Sequence, residues 1–167
     1  MRLPKRSWEK LKIWDDGPIY LTEDAILRLR EKLAQLQHDL PAFIQEAART
    51  ADYGDRSDNA EYKEAKSILR RANRQILILG DQIKRAVAIK TGRNENGVVQ
   101  LGSTVVLEND GGQKIYQILG PQETNPSQGK ISCESPLGKL LMQRKVGETI
   151  ELKTANGIRS YRILEVR

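Results

Sequence analysis

From Ile26 onward the apolar residues of this chain fall at Leu29, Leu33, Leu36, Leu40, Phe43 and Ala47, with mostly polar residues between them. The steps run 3, 4, 3, 4, 3, 4, the heptad spacing of a helix that buries one stripe against another helix. Thr22 suits the N-cap, and Glu23 and Asp24 follow in the first turn, where the helix dipole favours acids. Pro41 lies inside the pattern and removes a backbone donor, so a kink is expected there. A second stripe begins at Tyr62 and continues through Ala65, Leu69, Ala72, Ile76, Leu79, Ile83 and Ala86. Two matched stripes joined by a short non-apolar stretch predict an antiparallel coiled-coil hairpin over residues 18–90. Gly54 permits the reversal, since it takes positive φ without strain. About 30 residues per helix make a rod of roughly 45 Å. The stretch DYGDRSDNAEY, residues 52–62, then lies at its far tip.

After Lys90 the period changes. TGRNENG, residues 91–97, reads as a linker. Short alternating or β-branched runs follow: STVVLEN, QKIYQIL, KISCE, ETIELKT and IRSYRILEV, with NDGG and ANG as turns. SPLGKLLMQ reads as a short helix capped by Ser135, with Pro136 at its first position. Residues 98–167 are therefore expected to form a small antiparallel sheet with one short helix. The whole chain is an α+β protein of two domains, with Cys133 facing the second core as a small hydrophobe.

Composition narrows the chemistry. Of 167 residues, 30% are charged and 38% hydrophobic, with a net charge of +6, which suits an elongated protein with an anionic partner. Cys133 is the only cysteine and His38 the only histidine, so disulfides, cysteine-rich metal sites and serine–histidine catalysis have little to work with. No run approaches the roughly 20 apolar residues of a membrane helix. The basic extension over residues 1–17, with Trp8 and Trp14 among lysines and arginines, has no uninterrupted apolar segment after it. A cytoplasmic setting without membrane contact is expected.

Charge changes sign along the hairpin. Residues 52–64 hold Asp52, Asp55, Asp58, Glu61 and Glu64 against Arg56 and Lys63. Lys66, Arg70, Arg71 and Arg74 follow, with Lys66, Arg70 and Arg74 spaced four apart on one side of the second helix. Such a basic run is ordinarily a solvated face. Asp55 is a candidate N-cap for the second helix with Asp58 at its third position, and Ser57 is a rival cap. Spacing alone ranks that structural reading first. The functional alternative is that Asp55 and Asp58 offer oxygen ligands to Mg²⁺, an ion that keeps several waters and accepts one or two donated carboxylates. Two acids cannot hold it alone, so a partner would have to complete the site.

The motifs GDRSDNAEYKEAK, PIYLTEDAILRLREKL and ISCESPLGKLLMQRKVGETIEL occur in that order. Together they resemble the Gre family of bacterial transcript-cleavage factors, over roughly residues 18–167. The basic run leans toward the GreB branch. The resemblance implies an FKBP-like C-terminal domain that grips RNA polymerase, and a coiled coil that enters the polymerase's secondary channel. Asp55 and Asp58 match the family's tip acids, which help hold a second Mg²⁺ and orient the water that cuts the 3′ end of backtracked RNA. The factor would assist the polymerase's own reaction, with no metal of its own. Lys66, Arg70, Arg71 and Arg74 would face the RNA, with DNA present as part of the elongation complex. One departure is Asp58, where the family usually has Glu; aspartate keeps the charge and oxygens with a reach shorter by about one methylene, so activity is expected to survive this change. The N-terminal extension also falls outside the family pattern.

Three rivals accompany this reading. A Gre homologue could occupy the channel and inhibit without promoting cleavage, although retention of both acids argues against it. A prolyl isomerase would need an aromatic-lined pocket, and beyond residue 62 the chain has only Tyr116 and Tyr161. A basic coiled coil that binds RNA alone would leave the acidic tip idle.

Overall fold

The computed structural model describes residues 17–52, 59–92, 96–109, 111–154 and 157–167. It begins with strand β1 (Ile19–Thr22), helix α1 (Glu23–Ala51), helix α2 (Ala60–Arg85) and strand β2 (Ala86–Ile89). Every residue of the two heptad stripes is shielded: Ala65, Ala72 and Leu79 are buried and the others half-buried. That is the exposure expected of a rod only two helices thick, where a single line of side chains can leave water. Thr50, one step beyond Ala47 in the same phase, is 2% exposed and ends the α1 stripe. α1 continues through Pro41, whose ring lies exposed.

Thr22 caps α1, its Oγ1 accepting from the Ala25 N–H at 3.2 Å. β1 and β2 pair in parallel, Ile19 opposite Ala86 through Thr22 opposite Ile89. Neither strand has the length or alternation to announce itself in the sequence. Together they close the near end of the hairpin around Ile19, Leu21 and Ala25.

The C-terminal domain holds β3 (Thr104–Asn109), β4 (Gly112–Leu119), β5 (Lys130–Ser132), α3 (Pro136–Leu141), β6 (Thr149–Thr154) and β7 (Gly157–Val166). The sheet order is β5-β4-β3-β7-β6. It is antiparallel except that β4 and β5 run parallel, Gln117 opposite Lys130. The antiparallel sheet expected from the sequence is present, with β5 added as a parallel edge strand. Two 3-10 turns, Pro121–Glu123 and Pro126–Gln128, carry the chain from β4 to β5; that longer crossover allows a parallel return a tight hairpin could not make. α3 is capped by Ser135, whose Oγ accepts from the Gly138 N–H at 3.0 Å, with Pro136 first in the helix. Val105, Leu107, Ile118, Leu141, Ile150 and Ile163 form the centre of the core, and Cys133 packs against it half-buried.

The two halves meet through backbone as well as side chains. Glu123, 8% exposed at its side chain, accepts from the Thr22 N–H through Oε2 and from the Thr22 hydroxyl through Oε1, both at 2.6 Å. Arg28 lies 3.7 Å from the same carboxylate. A Cβ on Gly120 would sit 2.2 Å from the Tyr20 carbonyl oxygen, and one on Gly102 would sit 2.4 Å from that of Lys90. The second domain therefore touches the main chain of β1 and of Lys90, the residue that follows β2.

Gly120→Ala is expected to lower stability by about 1–3 kcal/mol, the range for forcing atoms into a packed contact. Gly80→Ala lies inside α2, and the new Cβ would meet nothing within 4 Å; it is expected to raise stability by about 0.5–1 kcal/mol. Chemical denaturation midpoints of the two variants should move in opposite directions.

Candidate functional site

The site read from the sequence has an acidic part and a basic part. Asp55 and Asp58 lie outside the described residues, as does Ser57. Both ends of the segment that carries them are described. α1 closes with Thr50, whose Oγ1 donates back to the Glu46 carbonyl at 2.8 Å. On the solvent side of the same turn Arg49 donates to Glu46 at 2.9 and 2.7 Å. This hydrogen bonding holds the Glu46 carboxyl below the usual carboxylate range.

Across the gap, α2 begins with Asn59 as its N-cap. The Asn59 side chain uses both ends of its amide. Oδ1 accepts from the Tyr62 N–H at 2.9 Å, which caps α2. Nδ2 donates to the Thr50 carbonyl at 2.8 Å, which ties the last turn of α1 to the first turn of α2. The cap expected at Asp55 or Ser57 is thereby corrected: Asn59 fills it, and both residues precede the helix. Asp55 and Ser57, both good cap residues, masked Asn59 in the sequence. The signal was present, since Asn is among the strongest N-cap residues and stands immediately before the helical Ala-Glu-Tyr.

The basic part is described in full. Lys66, Arg70, Arg71 and Arg74 all lie on α2 and are all exposed. Lys66 places Nζ 5.5 Å from the centre of the Tyr62 ring, a modest cation–π contact. Arg70, Arg71 and Arg74 make no ion pair among the described residues. Elsewhere on the hairpin Arg28, Arg49 and Arg85 each pair with a carboxylate.

Among the described residues no group of three or more His, Cys, Asp and Glu gathers to hold a metal ion. No helix among them is long and apolar enough to cross a membrane. A cleft of about 650 Å³ lies between the near end of the hairpin and the segment from Gln122 to Lys130. Its one carboxylate, Glu123, is already engaged by Thr22. Tyr161 is buried in the sheet core, and Tyr116 packs against that core with its hydroxyl pKa raised by burial and then by neighbouring Tyr161. Neither ring lines this cleft or the adjoining one of about 490 Å³. Tyr20 is the one aromatic side chain that lines the second cleft, and none lines the first.

Comparisons with known proteins agree on one family. The model described as "Transcription elongation factor, N-terminal" matches residues 19–87, and "Transcription elongation factor, GreA/GreB, C-term" matches residues 94–167. The chain is 38% identical over 152 residues to transcription elongation factor GreA of Rhodospirillum rubrum, covering 89% of this chain and 97% of that protein. It is 36% identical to GreA of Thermosipho melanesiensis, covering 89% and 96%. Among solved structures, GreA factor homolog 1 of Thermus thermophilus is 30% identical, covering 90% of this chain and 99% of that one at a TM-score of 0.41. The relatives named here carry the GreA name, and the leaning toward GreB remains an expectation from the basic run.

Because Arg70, Arg71 and Arg74 have no partner to lose among the described residues, single replacements by Ala are expected to change unfolding free energy by less than about 0.5 kcal/mol. Urea denaturation checks this, and a larger loss would assign those residues to the fold.

Proposed function

This chain belongs to the GreA/GreB family of transcription elongation factors, and we propose that it stimulates transcript cleavage by RNA polymerase. In this reading the C-terminal domain holds the polymerase and the hairpin enters its secondary channel. Asp55 and Asp58 then reach the active centre, where the 3′ end of a backtracked RNA lies. The polymerase carries out the hydrolysis and this protein is its accessory.

One observation carries the proposal. Asn59 supplies the cap of α2, so the structural duty that would have explained Asp55 is already filled. α1 alone contains 29 residues, a length of about 43 Å at 1.5 Å per residue. A rod of that length can carry acids far from the body of its own domain. In kind the acid pair fits Mg²⁺, which takes oxygen ligands, and in number it is too small to hold the ion unaided. Such an ion, shared with the polymerase, supplies a lowered pKa for bound water and charge neutralisation at a leaving phosphate oxygen. The part of Asp55 and Asp58 is to hold and orient. Lys66, Arg70, Arg71 and Arg74 present cations to the phosphates of the displaced RNA, a contact that salt weakens.

Mixing the protein with backtracked elongation complexes and Mg²⁺ should shorten the RNA from its 3′ end; intact RNA at saturating protein rejects the proposal. Asp55→Ala should abolish cleavage while leaving polymerase binding, measured by competition, within about twofold, under 0.5 kcal/mol. A parallel fall in binding would make the acid structural.

The basic run has its own test. Each of Arg70, Arg71 and Arg74 that meets a phosphate should reduce the slope of log affinity against log salt by roughly 0.7 when replaced by Ala, the single-strand value. Slopes unchanged in all three variants would leave the run a solvated face.

A further inference from the structure

We propose that Asn59 is a positioning residue for transcript cleavage, and that its tether to Thr50, rather than its capping of α2, is what cleavage requires. The inference rests on the function proposed above and adds a role for a neutral residue outside the acid pair.

The argument starts from what one side chain does. An N-cap needs only an acceptor, and Ser, Asp or Asn serve about equally well. Asn59 does more: its Nδ2 donates to the Thr50 carbonyl at 2.8 Å, a bond that spans nine residues of chain. Among the common cap residues, only Asn adds an amide donor to the acceptor on so short a stem. The carbonyl it meets belongs to the last turn of α1, where main-chain oxygens have no intrahelical partner. Thr50 is itself held, 2% exposed, with its hydroxyl bonded within α1. The amide thus joins two fixed points, the end of one helix and the start of the other. Residues 51–58, which include both acids, run between these points. Fixing the ends of a short connection limits the conformations open to it. A carboxylate that must meet an ion held by another molecule gains from that limit.

Three variants separate the tether from the cap. Asn59→Asp keeps an acceptor for the Tyr62 N–H, adds a favourable charge at the helix start and loses the donor. Asn59→Ser keeps the cap but replaces the amide N–H with a hydroxyl on a shorter stem, so the bond to Thr50 is lost without added charge. Asn59→Ala loses both. Full-length proteins carrying spin labels at exposed Ala48 and Lys63 report the separation of the helix ends without any reference to activity.

The expected result is a broadened distance distribution in Asn59→Asp and Asn59→Ser with helix content retained by circular dichroism. With it should come a cleavage rate lowered by up to about a hundredfold, the cost of a small misplacement of a catalytic group. The Mg²⁺ concentration for half-maximal cleavage should rise, while polymerase binding stays unchanged. Cleavage by both variants equal to wild type overturns the positioning role. Loss in Asn59→Asp alone also overturns it, because the added charge would then be the cause. Unbroadened distances in both variants remove the tether. Absence of cleavage by the wild-type protein rejects the function proposed above and the positioning role with it. Wild-type cleavage matched by the variants rejects only the latter.

Discussion

A rod made of two helices has one interior line, and the architecture of this protein follows from that limit. Each helix can hide only the residues that recur in steps of 3 and 4, so a single stripe on each must hold the pair together. The stripes from Ile26 to Ala47 and from Tyr62 to Ala86 meet the condition, half-buried or buried throughout. Away from the near end, the remaining described surface of the two helices is mostly exposed and carries charge. The same thinness leaves the ends as weak points, since a terminal turn has neighbours on one side only and fraying begins there.

The two ends are fastened by different chemistry. At the near end the small parallel sheet, the Glu123 carboxylate on Thr22 and the close approach of Gly120 to Tyr20 join the rod to a separate folded body. At the far end, among the described residues, the fastening is local and includes the amide bond from Asn59 to the Thr50 carbonyl. In the function proposed above the tip enters another molecule, and a bulky clamp there would widen it.

What could be read from the sequence was what repeats or acts locally. The heptads, the caps at Thr22 and Ser135, and all five strands of the C-terminal sheet follow from spacing and propensity within a few residues. What escaped depends on partners far apart in the chain. Glu123 meets Thr22 across 101 residues, and no pattern near either residue points to the other. β1 and β2 are four residues each and exist because the helix ends bring them together. The parallel β5 has three residues and takes its direction from the crossover before it. Asn59 is the intermediate case: the propensity was visible, yet Asp55 and Ser57 competed for the same role, and deciding among them needed coordinates. Asp55 and Asp58 themselves lie outside the described residues, so their role still rests on motif and on the structure at their flanks.

Charge along the rod can then be considered as a distance problem. Arg74 stands 15 positions beyond Asn59 along α2, or about 22 Å at 1.5 Å per residue. Exposed charges that far apart are largely screened, since the Debye length at physiological ionic strength is about 8 Å. Charge at the start of α2 therefore does little to neutralise Arg74, whereas Glu64 stands six residues, about 9 Å, before Arg70. Arg70, Arg71 and Arg74 lack ion-pair partners among the described residues, and desolvating them on contact with an anion breaks no salt bridge within that set. One slender element can thus present a carboxylate end to a cation and a guanidinium flank to phosphates at the same time. That separation of opposite charges requires length more than bulk, and the paired heptads provide it.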